Sequence, residues 1–176
     1  MEFVATPLAG AFVIDLDRHE DERGFLARSF CVDEFSRHGM NARIVQCNVS
    51  YNRCRGTLRG FHYQTKPHEE AKLVRCTSGA IYDVIVDLRR ASATYKRWFA
   101  TELTALNRSM LFVPEGFAHA FQTLADDTEV FYQMSARYDP TLAHGVRWDD
   151  AAFGVTWPIP EPIISERDRS YPDFGR

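Results

Sequence analysis

Hydrophobic and polar positions alternate in short runs along most of the chain, and turn residues separate the runs at short, regular intervals. Phe3-Val4-Ala5 and Ala11-Phe12-Val13-Ile14-Asp15 read as short strands broken by Pro7 and Gly10. Asp21-Glu22-Arg23-Gly24 is a turn, since glycine supplies the left-handed position such turns often need. Residues 25–30 resume an extended run. Residues 31–40 predict a helix: Val32, Phe35 and Ser36 fall at helical spacing, Asp33 and Glu34 begin it, and Gly39 closes it. Residues 42–50 then alternate Ile44, Gln46 and Asn48 against Val45, Cys47 and Val49, a period-two strand with one polar face.

Further strands are predicted over 57–64, 71–76, 79–88, 97–103, 110–113, 117–121 and 129–133. Many short strands, few helices and no alternation of strand and helix predict an all-β fold, an antiparallel sandwich or jelly roll. From Asp139 onward the chain is rich in proline and charge, with Trp148 and Trp157 as anchors, and is expected to wrap the barrel.

At 176 residues the chain is long enough for one domain with its own core. Its 45% hydrophobic and 26% charged residues are those of a soluble globular protein. A net charge of −3 argues against nucleic acid or an anionic membrane as partner, so any basic site must be local. No apolar run has the length of a membrane span and no basic-then-apolar signal opens the chain, so a cytoplasmic protein is expected. The four cysteines lack CxxC spacing, which points to reduced thiols rather than zinc or disulfides.

Candidate chemistry clusters on the strands. His62 and Gln64 share one face of theirs, Lys72, Val74 and Cys76 one face of the next, and Phe117, His119 and Phe121 another, with Tyr132 further on. If these faces point inward, the interior holds two imidazoles, an ammonium and a phenol. That set suits proton abstraction beside a carbonyl: an imidazole as base, an ammonium against the enolate oxygen and a phenol to return a proton. A buried histidine is more often a hydrogen-bonded core residue, and Tyr132 alone reads as a core aromatic. Lys72 is harder to dismiss, because strand lysines usually mark an edge facing water.

A metal site could conscript His62, His68, Glu69, Glu70 and His119. The His-x-His pattern that would favour one has Gln64 in its second place, and Lys72 would repel the ion; no metal is expected. Of the basic stretches, Arg59 beside His62 is the better phosphate candidate, whereas Arg89-Arg90 reads as solvated charge.

Ordered motifs run nearly the length of the chain: Asp21-Glu22-Arg23-Gly24-Phe25, Gln46-Cys47-Asn48-Val49-Ser50, residues 56–64, Lys72-Leu73-Val74-Arg75, residues 114–119, residues 145–150 and Ser165-Glu166-Arg167-Asp168. In these the chain resembles the dTDP-4-dehydrorhamnose 3,5-epimerases, nucleotide-sugar enzymes with a cupin-type jelly-roll β-barrel. The resemblance implies an epimerase without cofactor or metal, acting on a nucleotide-linked 4-keto-6-deoxy sugar at both carbons flanking the C4 ketone. His62 would be the base, with Asp168 behind it to set its tautomer; Lys72 would stabilise the enolate and Tyr132 would be the acid. Arg23, Phe25, Gln46, Asn48, Arg59, His119, Tyr138 and Arg167 fall at substrate-binding positions, with Tyr138 stacking on the nucleotide base.

The family's homodimers exchange strands, so the N-terminal segment with Arg23 and Phe25 would serve the partner's site. Arg59 and His62 would sit on opposite faces of a regular strand, so their joint use needs a bulge near Gly60 or a second chain. Two usual family glutamates are replaced here, by Arg28 and Ala143, and a common lysine by Arg167, which leaves open the preferred nucleotide or sugar. The competing readings are an epimerase acting at C3 or C5 alone, or on another nucleotide, and a metal-dependent cupin oxygenase or isomerase.

Overall fold

A computed structural model describes residues 1–175 of the chain, with fourteen strands and two short helices among them. The first part holds β1 (Glu2–Ala5), β2 (Phe12–Asp15), β3 (Arg18–Asp21), β4 (Gly24–Ala27), α1 (Val32–Arg37) and β5 (Gln46–Asn52). The middle holds β6 (Thr57–Gln64), β7 (Lys72–Ser78), β8 (Ala80–Asp87), β9 (Trp98–Thr104), β10 (Met110–Val113), β11 (Phe117–Thr123) and β12 (Thr128–Met134). The tail adds β13 (Ala143–Gly145), β14 (Ile163–Ile164) and α2 (Glu166–Arg169).

Two sheets carry the fold. One runs β1-β2-β10-β7-β12-β5; the other runs β13-β6-β11-β8-β9, with β14 added parallel to β6. Every other pairing is antiparallel. This is a cupin-like jelly roll, but an open one: the two sheets face each other without closing into the expected barrel. At the β5 and β6 end, polar inner-face side chains line a cavity where a packed seam would otherwise form.

Strand alternation explains the packing. On β8, Ile81 and Ile85 point between the sheets, where they join Val74, Cys76, Leu111, Phe117, Phe121 and Val130 in one buried cluster. Val84 and Val86 point the other way, beneath Phe153 and Trp157 of the tail. Both faces of β8 are covered, so its sequence reads as a nearly unbroken apolar run. The outer face of the first sheet, with Leu73, Met110 and Phe112, is covered by Phe35 of α1 and by Met40.

Some sequence-derived boundaries move. The strand predicted over 42–50 starts only at Gln46: the Asn41 side chain donates through Nδ2 to Glu115 and accepts the Arg43 N–H through Oδ1, which holds this stretch in a turn. The extended run from Phe25 ends at Ala27, and the turn at Asp21–Gly24 joins β3 to β4 in a hairpin that pairs with neither sheet.

Candidate active site

The site begins at an irregularity in β6. Opposite β11, His62 pairs with His119 and Arg59 with Phe121, so three steps along β6 match two along β11. The extra residue is a bulge, and it rotates Arg59 onto the same side as His62. Only glycine fits at position 60. Its φ is +116°, and a Cβ there would lie 2.6 Å from both the Ala120 Cβ and the His119 carbonyl oxygen.

One carboxylate secures this bulge and the imidazole together. Asp168 Oδ2 accepts the Gly60 N–H at 3.1 Å, and Asp168 Oδ1 lies 2.8 Å from His62 Nε2. Asp168 is carried on α2, whose N-terminus is capped by the Ser165 hydroxyl, which accepts the Asp168 N–H. Burial works to raise the Asp168 carboxyl, but the hydrogen bond and charge of His62, the Gly60 N–H and Arg167 outweigh it and hold its pKa below the ordinary value. An ionised Asp168 accepts Nε2–H, which leaves the basic lone pair of His62 on Nδ1. The ring itself is 41% exposed, open to the cavity, while its partner carboxylate is 7% exposed.

The cavity holds about 530 Å³, enough for a sugar and part of a nucleotide. His62, Arg59 and His119 line it from the second sheet; Gln46, Asn48, Lys72 and Tyr132 line it from the first. Lys72 is not an edge lysine. It lies on central strand β7, 9% exposed, with Nζ 3.0 Å from Glu70 Oε1. Tyr132 on β12 has its phenol pushed up by burial, which outweighs the opposing charge of Arg59, with a smaller push from the Glu70 charge. His119 Nε2 meets Asp83 Oδ1 at 2.6 Å, a second imidazole–carboxylate pair in the cavity wall.

Tyr138 and Arg167 line the rim, where Gln46 Oε1 accepts the Tyr138 N–H at 3.0 Å. The structure therefore brings ten of the twelve sequence-derived site residues together. Arg23 and Phe25 stand apart on the β3–β4 hairpin. Arg23 pairs with Asp21, and the Phe25 ring lies 5.2 and 4.9 Å from the Arg18 and Arg108 guanidinium carbons.

Other residues took up different partners. Glu70 forms an ion pair with Lys72, and His68 Nδ1 lies 3.3 Å from Asp139 Oδ2, so these residues too have other partners. Arg89 corrects the solvated reading: it grips Asp87 and the Ala9 carbonyl and lies 4.5 Å from the Phe117 ring centroid. Arg28 pairs with Glu34 at 2.8 Å, and Ala143 lines the cavity from β13.

Three residues had no assigned place in this site: Asp83, Glu70 as the partner of Lys72, and Tyr171, whose ring meets the His62 ring edge-on at 5.9 Å. Asp83 did carry a signal, a carboxylate on the inner face between Ile81 and Ile85. Tyr171 carried none, because its approach depends on how the tail returns.

Known proteins share this fold. The family model for dTDP-4-dehydrorhamnose 3,5-epimerase matches residues 5–175. A protein of that name from Methanothermobacter thermautotrophicus is 41% identical, over 96% of this chain and 92% of its own. The crystal structure of dTDP-4-dehydrorhamnose 3,5-epimerase from Elizabethkingia anophelis superimposes with a TM-score of 0.96 at 37% identity, covering 99% of this chain and 96% of that one. That of the Bacillus anthracis enzyme, with TDP and PPi bound, gives 0.94 at 39% identity and covers 98% of each chain. With nearly every residue matched at such identity, this chain belongs to the dTDP-4-dehydrorhamnose 3,5-epimerase family.

Proposed function

We propose that the chain converts dTDP-4-dehydro-6-deoxy-D-glucose to dTDP-4-dehydro-L-rhamnose by inverting C3 and C5. The observation that carries this is the placement of His62 and Tyr132 on facing walls of one cavity, one on β6 and the other on β12. Inversion needs a base on one side of the sugar ring and an acid on the other. His62 Nδ1 takes the proton from the carbon beside the C4 ketone. The electron pair moves to the ketone oxygen, where the Lys72 ammonium meets the enolate charge. Tyr132 delivers a proton to the opposite face of the same carbon. Substrate and product are isomers, so the sequence closes with proton transfers alone and calls for no redox cofactor.

Arg59 and Arg167 suit the diphosphate, since guanidinium groups bind its oxygens in pairs. Tyr138 at the rim suits stacking on the nucleotide base, with Gln46 and Asn48 beside it. The TDP and PPi bound by the Bacillus anthracis relative support a nucleotide diphosphate as part of the ligand. We further propose that the working form is a homodimer in which the β3–β4 hairpin presents Arg23 and Phe25 to the partner's cavity. Its Phe25 and Leu26 side chains are exposed on their own chain, which supports that placement.

The reading is tested by incubating the protein with dTDP-4-keto-6-deoxyglucose in D2O and following deuterium at C3 and C5 by NMR. Label at both carbons, lost in His62→Asn, is expected. Label at one carbon would reduce the activity to a single-centre epimerase. No label with this sugar, but label with a CDP- or GDP-linked one, would move the specificity and give Arg28 and Ala143 a role in it.

A further inference from the structure

Glu70 has no place in the proton transfers, yet it is among the most buried charged groups of the cavity wall. Its side chain is 4% exposed, Oε1 holds the Lys72 ammonium at 3.0 Å, and Oε2 is buried without a hydrogen-bond partner among the described residues. A buried carboxylate that leaves one oxygen unsatisfied is costly, and an ordinary core position would not keep it. Lys72 is also buried, at 9% side-chain exposure, and lies on the inner face of a central strand. An ammonium in that position loses its hydration and needs a fixed counter-charge to stay protonated.

Other groups in the wall do not supply one. Around the same cavity stand Arg59 and His62 on β6, His119 on β11, Tyr132 on β12, and Tyr63, His144, Tyr138 and Arg167 towards the rim. These are cations or neutral groups. Asp168 and Asp83 are turned to their histidines. Tyr51, also in the wall, is hydrogen-bonded to Asp127.

We propose that Glu70 is a positioning residue that keeps Lys72 charged and aimed at the reacting end of the cavity. The proposal rests on the epimerase reading for its catalytic consequence, but the pairing can be measured without substrate. Glu70 touches neither sugar nor nucleotide in this scheme; it acts through Lys72. Its negative charge also bears on Tyr132, whose phenol it helps to keep protonated.

The test is Glu70→Gln, which preserves shape and removes the charge. The chain has three lysines, Lys66, Lys72 and Lys96, so 13Cε-labelled lysine gives three signals, assigned through Lys66→Arg and Lys96→Arg. In Glu70→Gln the Lys72 signal is expected to titrate at a lower pH than in the unaltered protein, because a buried ammonium without a partner favours its neutral form. In turnover, the alkaline limb of the kcat/KM profile should move down with it. The acidic limb should stay in place, and activity should recover as the pH is lowered towards that limb. A Lys72 signal that titrates as in the unaltered protein, or a profile lowered evenly at every pH, would overturn the proposal.

If Glu70→Gln does not fold, Glu70→Asp serves. It keeps the charge but withdraws it by one methylene, so kcat should fall about tenfold with the alkaline limb unmoved; unchanged kcat would count against the role. Should the unaltered protein turn over no substrate, the epimerase reading fails, and the lysine titration still decides the pairing.

Discussion

Tyr132 shows at the residue scale how burial shapes a proposed role. Its phenol is pushed up by desolvation and by Glu70, so its proton is still in place where a free phenol begins to ionise, at about pH 10. An acid must hold its proton until the carbanion forms, and the direction of this shift serves that need. In Tyr132→Phe the base survives while delivery from the opposite face is lost. Product formation should therefore fall by about 10²- to 10⁴-fold, with deuterium exchange into recovered substrate falling much less. Equal loss of both would remove Tyr132 from the acid's role. The contrast with Asp168 is instructive, since burial raises both groups yet their net shifts have opposite senses. Asp168 has His62, Gly60 N–H and Arg167 to offset desolvation, whereas Tyr132 has the charge of Arg59 and no hydrogen bond among the causes of its shift.

At the scale of the element, the β6 bulge decides whether there is a site at all. Gly60→Ala removes no catalytic side chain, yet its Cβ would strike Ala120 and the His119 carbonyl at 2.6 Å in a backbone region that side chains avoid. The bulge would have to shift, taking Arg59 and His62 with it. We expect turnover to drop by about 10²-fold or more and stability by about 2 kcal/mol, read from denaturant unfolding. Normal activity would mean that Arg59 and His62 do not need this shared face.

The loop from β8 to β9 gives a second test of an element. Asp87 accepts bonds from Arg89, Ser92 and Thr94. Burial would raise its carboxyl, but these partners prevail and bring it down to about 2. A depressed carboxylate stabilises the fold above its unfolded pKa near 3.9, and that contribution is lost as pH falls towards 2. Asp87→Asn should be less stable by about 2 kcal/mol at neutral pH and should show a flatter loss of stability between about pH 4 and 2. A variant as stable as the unaltered protein would show that the loop is held by other contacts.

At the scale of the whole molecule, the separation of Arg23 and Phe25 from their own chain's cavity is the feature to test. If the hairpin serves a partner, Arg23→Ala and His62→Asn chains are each impaired alone but can complement. A mixed dimer would pair the intact His62 of one chain with the intact Arg23 of the other. Co-expression in equal amounts should restore about a quarter of unaltered turnover, since half the dimers are mixed and each has one complete site. No restoration, with mixed dimers verified by mass, would place Arg23 in its own chain's site or outside catalysis.

What the sequence determined by itself was set by local physics. Period-two alternation marked the main strands, because a strand that buries one face must write that face into every second residue. The same parity placed His62 with Gln64 and Lys72 with Val74 and Cys76, and the ordered motifs identified the family. Other features depend on contacts between distant residues and left little local trace. The short strands of the tail and α2 form only where β6 and the rest of the fold meet them, so Asp168 reaches His62 across 106 positions of chain. Tyr171 reaches the same imidazole in the same way. The bulge was legible only as a requirement of Arg59 and His62 acting together, and the register with β11 decided how it is met. Lys72 and Glu70 were visible as charges in the sequence; their pairing on the inner face of a central strand followed only when the two sheets enclosed them, since burial is a property of the assembled layers.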